Sequence, residues 1–187
     1  MTVKQIIRMG NPILYRQNQA VTEFNTPALD QLIADMFETM EALDGVGIAA
    51  PQIGEALTVT VFGFEKSQRY PNAPPVPKTV LINPVIEPLS EEKNDGWEGC
   101  LSIRSDEITL RGLVPRYTKL RYSGYDQQGN FFQREVADFH ARLVQHEYDH
   151  LQGKLFPFRI EDMRYFGFEA EIAAIRESMD RSNGAGT

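Results

Sequence analysis

His146-Glu147-Tyr148-Asp149-His150 carries the densest chemistry in the chain. Two imidazoles four positions apart on a helix leave from one face, about one turn (~6 Å) from each other. At that spacing both reach a single metal ion, and the glutamate between them stands where a general base for metal-bound water is needed. The plainer reading is two histidines packed inside a buried helix. Two of the three histidines in the chain fall here, which favours a site.

Two histidines leave a catalytic metal one protein ligand short. The sequence offers two kinds of third donor. Glu169 and Glu171, 19 and 21 residues beyond His150, would make a His-His-Glu site of the metalloprotease kind. Cys100, within Gly96-Trp97-Glu98-Gly99-Cys100-Leu101-Ser102, would supply a softer thiolate suited to iron or zinc, and its flanking glycines let backbone approach a ligand. A second glycine-rich segment, Gly45 to Gly54, lacks the Lys and Ser/Thr of a phosphate cradle. Its small residues suit backbone pairing with an extended peptide, and the Gln52 amide is placed to donate to a carbonyl oxygen. Its plain reading is a helix-to-strand turn.

These residues need elements to hold them. Asp138 reads as the N-cap of a helix over Phe139 to Leu151, with Gly153 as its stop. Phe139, Leu143, His146 and His150 share one side, and Val144, Tyr148 and Leu151 the other. Both sides are largely apolar, so the helix should be central and buried. Thr26-Pro27 opens an earlier helix whose stripe of Leu29, Leu32, Ile33, Met36, Phe37, Met40 and Leu43 packs a core. Leu57 to Phe64, Val80 to Val85, Lys119 to Tyr125 and Phe131 to Val136 read as strands. The last two flank a hairpin turn at Asp126 to Asn130. Residues 66–79 hold four prolines and read as a surface loop. Phe168, Ile172, Ile175 and Met179 mark a C-terminal amphipathic helix, and a frayed tail is expected over about 181–187. The order of elements predicts an α+β fold. Antiparallel sheets pack around a central metal-binding helix, with an N-terminal and a C-terminal helix.

Composition narrows the function classes. The 187 residues suit one domain, 1–187, with 42% hydrophobic and 24% charged residues. A net charge of −7 without a Lys/Arg cluster argues against direct nucleic-acid recognition. No run approaches the ~18 apolar residues of a membrane span, and the N-terminal segment lacks a signal-peptide apolar run, so a cytoplasmic location is expected. A single cysteine rules out an internal disulfide.

GVGIAAPQIG at 45–54, WEGCLS at 97–102 and QHEYDH at 145–150 together resemble the peptide deformylase family in order and approximate spacing. Arg8 to Leu14 and Leu81-Ile82-Asn83-Pro84 extend the likeness to roughly residues 5–165. The resemblance implies hydrolysis of the formyl group from the N-terminal formyl-methionine of new polypeptides. It assigns Cys100, His146 and His150 to the metal, with ferrous iron as the cellular ion and zinc, nickel or cobalt as substitutes. Glu147 becomes general base and then acid, while Gln52 and the Leu101 N–H hold the developing oxyanion. The backbone of Val46 and Gly47 would bind the substrate peptide. Val46, Glu98, Phe139, Arg142 and Leu143 would line the methionine pocket, and Arg111 would lie near the substrate backbone. The implied partners are N-formyl-methionyl nascent peptides and, transiently, the ribosome, for which the helix from about Glu169 to Met179 is the candidate surface. Asp149 is placed to meet Arg142 or a more distant arginine such as Arg116.

The chain departs from the family after Cys100-Leu101-Ser102-Ile103, where the usual proline is absent and about four residues are added. The addition, around 104–109, is expected to form a loop at the cleft rim. Two other functions remain open: a metallopeptidase using Glu169 or Glu171, and a non-catalytic protein that binds nascent chains.

Overall fold

The computed structural model describes residues 2–105 and 107–184, with side chains described as far as residue 176. Two antiparallel sheets enclose a central helix. The larger takes the order β1 (Gly47–Ala49), β2 (Val59–Phe64), β3 (Val76–Pro88), β6 (Lys119–Tyr125), β7 (Phe131–Ala137). The smaller takes the order β4 (Lys93–Glu98), β5 (Leu110–Tyr117), β8 (Phe166–Phe168). Helix α2 (Asp138–Leu151) touches strands of both. α1 (Pro27–Ala42) covers β1 and β2, and α3 (Glu169–Gly184) follows β8. The fold is α+β with antiparallel sheets and three helices.

Helix α1 starts where the sequence places it. The Thr26 hydroxyl accepts the Leu29 N–H at 3.2 Å, and Pro27 occupies the first turn, where its missing N–H costs nothing. Its apolar stripe packs Leu29, Ile33, Met36 and Met40 against Ile48, Val59 and Val61. Packing on both faces of the large sheet explains why all six residues of β2 are buried.

Helix α2 is mostly buried, and its ends are satisfied by other parts of the chain. Asp138 does not cap it by side chain. Its backbone lies in the left-handed region (φ 53°) and its N–H bonds Thr118 O at 2.8 Å. Asp tolerates that conformation, so the strand-to-helix bend decided its place. At the other end, Asn18 Nδ2 donates to the carbonyls of His150 and Leu151 (3.3 and 3.0 Å). Gly153 stands at φ 68°, in line with its role as the stop.

Elsewhere the structure corrects the sequence reading. β3 begins at Val76, inside the expected loop, because Val76 is buried against Phe64. Pro77 is tolerated there because β3 has only β2 as neighbour until it meets β6 at Ile82. β1, β4, β5 and β8 were not expected. β5 carries Arg111, Gly112, Pro115 and Arg116, poor strand formers as a set, yet both arginines are buried in ion pairs. α3 continues through Gly184, and residues 185–187 of the expected tail lie outside the described residues. Within the added segment, Arg104 bridges Thr109 and the Ser105 N–H bonds Ile108 O at 2.8 Å.

Candidate active site

Three buried or nearly buried donors meet between the sheets. Cys100 follows β4 directly, while His146 and His150 lie one turn apart on α2. One donor atom from each lies within 4.8 Å of the others. Cys100 Sγ is 3.3 Å from His150 Nε2, and the two rings stand 5.1 Å apart. Cys100 and His150 are 3% and 1% exposed. No other such cluster occurs among the described residues. Glu169, the other candidate donor, is instead bound to Arg111 and Arg176, and Glu171 is exposed.

The donor set suits a borderline-soft divalent cation, since a thiolate and two imidazoles offer sulfur and nitrogen in a dry setting. Burial would push the Cys100 thiol up, but His150 and His146, both beside the sulfur, outweigh it and hold the thiol well below its ordinary value. Glu98 Oε2 takes His146 Nδ1 at 2.8 Å, which leaves Nε2 as the donor nitrogen of that ring.

Glu98 is itself held firmly. Arg116 donates to both its oxygens at 2.9 Å (Nε to Oε1, Nη2 to Oε2), and Arg142 Nη1 donates to Oε1 at 2.9 Å. Asp149, one residue before His150, takes Arg116 Nη1 at 2.5 Å and two bonds from Arg159. Its partners are therefore Arg116 and Arg159. Burial disfavours the charge of Asp149, but Arg159 and Arg116 keep its carboxyl below the usual range.

Glu147 faces the donors from α2 and is 3% exposed. Burial pushes its carboxyl up to about 7 against the pull of His146 and His150. Its Oε2 is buried with no hydrogen-bond partner among the described residues. Gly47 lies directly against this carboxylate, and a Cβ there would collide with it. Glycine is needed at 47 for that close approach, not for a turn.

Gln52 occupies the 3-10 turn Ala50–Ile53 behind β1. Its Oε1 accepts the Ala49 N–H at 2.8 Å, which fixes the amide and aims Nε2 at Cys100 Sγ (3.4 Å) and Ser102 Oγ (3.2 Å). β1 is an edge strand, paired with β2 on one side only. The Val46 carbonyl already accepts the Gly63 N–H at 2.9 Å.

A narrow, partly open cleft lies over these groups. Val46, Phe139 and Leu143 supply its apolar wall, and Gly47, Gln52, Glu98, Cys100, Leu101, Arg142, His146 and Glu147 also line it. His150 lies beneath, against the sulfur. Arg111 does not line the cleft. It is 6% exposed, bound to Glu169 at 2.5 Å and to the Tyr70 hydroxyl at 3.2 Å. Arg69, Tyr70, Trp97 and Gly99 line the cleft although the sequence reading did not name them for it. Arg69 and Tyr70 were hidden in the proline-rich segment, and only their aromatic-basic pairing sets them apart there. The described residues of 104–109 are not among its lining. Arg104 and Ser105 instead border a separate depression with Lys4, Ile6 and Arg8.

Known proteins resemble this chain over most of its length. A family model described as polypeptide deformylase matches residues 3–165. The chain is 57% identical over 166 residues to peptide deformylase 2 of Ralstonia nicotianae, covering 89% of this chain and 92% of that protein. The same figures hold for peptide deformylase 1 of Bordetella pertussis. Among solved structures, a Met-Ala-Ser-bound class I type b peptide deformylase from Acinetobacter baumannii superposes with a TM-score of 0.79 at 37% identity. That match covers 85% of this chain and 99% of the other. The chain belongs to the polypeptide deformylase family. It is a metal-dependent hydrolase that removes the N-formyl group from newly made polypeptides.

Proposed function

We propose that Cys100, His146 and His150 hold the metal, that Glu147 moves the proton, and that Gln52 with the Leu101 N–H binds the formyl oxygen as charge develops on it. The observation that carries this reading is the meeting of the three donors beside a buried carboxylate with one oxygen unpartnered. A divalent cation held there supplies Lewis acidity and makes water acidic enough to attack at neutral pH. Ferrous iron is the proposed cellular ion, with zinc, nickel or cobalt able to replace it, because a thiolate with two imidazoles serves all four.

Glu147 takes the proton of the attacking water and passes it to the amine as the C–N bond breaks and formate leaves. Burial raises the Glu147 carboxyl above the ordinary carboxylate range, which favours its taking up and returning a proton. Gln52 is preorganised for the oxyanion by its bond to Ala49, so its dipole needs no reorientation during reaction.

The substrate backbone pairs, in the manner of an added strand, with the free edge of β1 at Gly47 and with the N–H of Val46 just before it, the Val46 carbonyl being taken by Gly63. The methionine side chain lies against Val46, Phe139 and Leu143. Glu98 and Arg142 lie at the end of that wall with their charges spent on each other, so an apolar side chain meets no bare charge. Arg111 backs the cleft through two of its lining residues, donating to the Tyr70 hydroxyl and packing against Gly99. The Met-Ala-Ser tripeptide in the Acinetobacter baumannii structure supports a formyl-methionyl peptide as substrate.

Residues 1–187 are read as one catalytic domain, matched by the family over 3–165. No described helix is long and apolar enough to cross a membrane. A cytoplasmic location and a transient ribosome contact through α3 fit a substrate that is a nascent chain. The deciding experiment is formate release from formyl-Met-Ala-Ser by anaerobically purified, iron-loaded protein. Turnover that disappears in Cys100→Ala together with the bound metal is the expected result. A metal-replete protein that binds the peptide yet releases no formate would overturn the reading in favour of a non-catalytic nascent-chain binder.

A further inference from the structure

We propose that Arg116 is a positioning residue that braces the thiolate-bearing strand end against the imidazole-bearing helix, and so sets the geometry of all three metal donors. The inference rests on the metal site proposed above.

The donors come from two separate pieces of chain. Cys100 follows the end of β4, two residues after Glu98, while both histidines ride on α2. Arg116, on β5, touches both pieces at once. Its Nε and Nη2 grip the two oxygens of Glu98 at 2.9 Å, and its Nη1 reaches Asp149 Oδ2 at 2.5 Å. Glu98 then takes His146 Nδ1 at 2.8 Å, and Asp149 immediately precedes His150. All three guanidinium nitrogens are thus engaged, in directions set by a flat, rigid group. Arg116, Glu98 and Asp149 are 4%, 3% and 2% exposed, so water does not compete for these bonds.

Such a group cannot be replaced by a point charge. Lysine at 116 would keep the buried charge but could not hold two oxygens of one carboxylate and a second carboxylate in fixed directions. Arg159, which also binds Asp149, has a side chain 42% exposed and makes no described contact with Glu98. It steadies Asp149 without joining the two pieces.

The brace therefore predicts a ranking. Arg116→Lys weakens nickel or zinc binding about 10- to 100-fold, the range seen when groups supporting a ligand are lost. It shifts the thiolate absorption band of the cobalt-substituted protein. At saturating metal it lowers kcat while the KM for formyl-Met-Ala-Ser stays within about threefold, because Arg116 does not line the cleft. Glu98→Gln gives similar losses, and the double variant is no worse than the worse single one, because both act through one brace. Arg159→Met changes metal affinity less than threefold.

Metal dissociation constants, the cobalt spectrum and the kcat/KM split of the full chain test this together. A parental metal affinity and cobalt spectrum in Arg116→Lys, whatever happens to its melting temperature, overturns the proposal. So do additive losses in the double variant. Should Arg116→Lys not fold, Asp149→Asn measured in the same way decides, since it removes one arm of the same brace. Parental protein lacking a cobalt-thiolate band would instead refute the metal site itself, so the two failures are told apart.

Discussion

The floor of the cleft and its mouth are built on opposite principles. At the floor, Gln52, Glu98, Cys100, Glu147 and His150 are buried, and they sit on α2, at the end of β4 or in the turn behind β1. At the mouth, Arg69 and Tyr70 stand half-buried on the loop between β2 and β3, and Trp97 stacks edge-on with Tyr165 at 6.5 Å. Groups that must meet reacting atoms within a few tenths of an ångström need locked rotamers and partners on regular elements. Groups that read a variable peptide need only be near it, and a loop serves. The contrast separates loss of chemistry from loss of binding.

Five variants break or sharpen that contrast. Glu147→Gln keeps the shape of the floor and removes the carboxylate proposed to carry the proton. It should lower kcat/KM at least about 10³-fold while metal analysis still finds one ion per chain. Gln52→Ala should follow, with kcat reduced about 10²- to 10³-fold and KM little changed in steady-state assays. Gly47→Ala should cost on the order of 10²-fold in kcat, since its Cβ must push the Glu147 carboxylate aside. A near-parental Gly47→Ala enzyme would show that the floor is softer than argued.

His140 lies outside both regions and serves as a control. It packs against Phe62 and Tyr122 on the large sheet. Burial, with Arg134 adding to it, lowers its pKa to about 4, against 6.5 in an open chain. The unfolded chain therefore binds the extra proton between these values. Stability is fully present above about 6.5, declines as pH falls to about 4, and is flat below that for this group. His140→Gln should remove about 1–3 kcal/mol of that slope in urea titrations at pH 4.5 and 7. An unchanged slope would place the acid sensitivity on other groups.

The smallest effect belongs to the mouth. Trp97→Ala should raise KM for formyl-Met-Ala-Ser a few-fold, about 1 kcal/mol or less, and leave kcat nearly alone. A loss approaching that of Glu147→Gln would erase the distinction between the two regions.

Much of the floor was legible because its signals are local or chemically rare. His146 and His150 are neighbours by helix geometry alone, and Thr26-Pro27 announces α1 within a few residues. The resemblance named Cys100 and Gln52 through short motifs, and the structure places both beside the histidines. The mouth was not legible. Arg69 and Tyr70 read as loop composition, and nothing in their neighbours says which cleft they overlook. Arg111 shows the same difficulty inside the core. Its guanidinium is held by Glu169, 58 positions away, and by the Tyr70 hydroxyl, partners that no local pattern announces.

By itself the sequence determined the kinds of donor, the one-turn spacing of two of them, and the periodic faces that bury α1 and α2. Those follow from residue chemistry and the pitch of a helix, which act over a few positions. Only the tertiary structure decided that Cys100 meets His150 across 50 residues, and that Arg116 joins Glu98 to Asp149. Ion pairs of that kind depend on how a strand end and a helix end are brought together, and no local pattern encodes that distance.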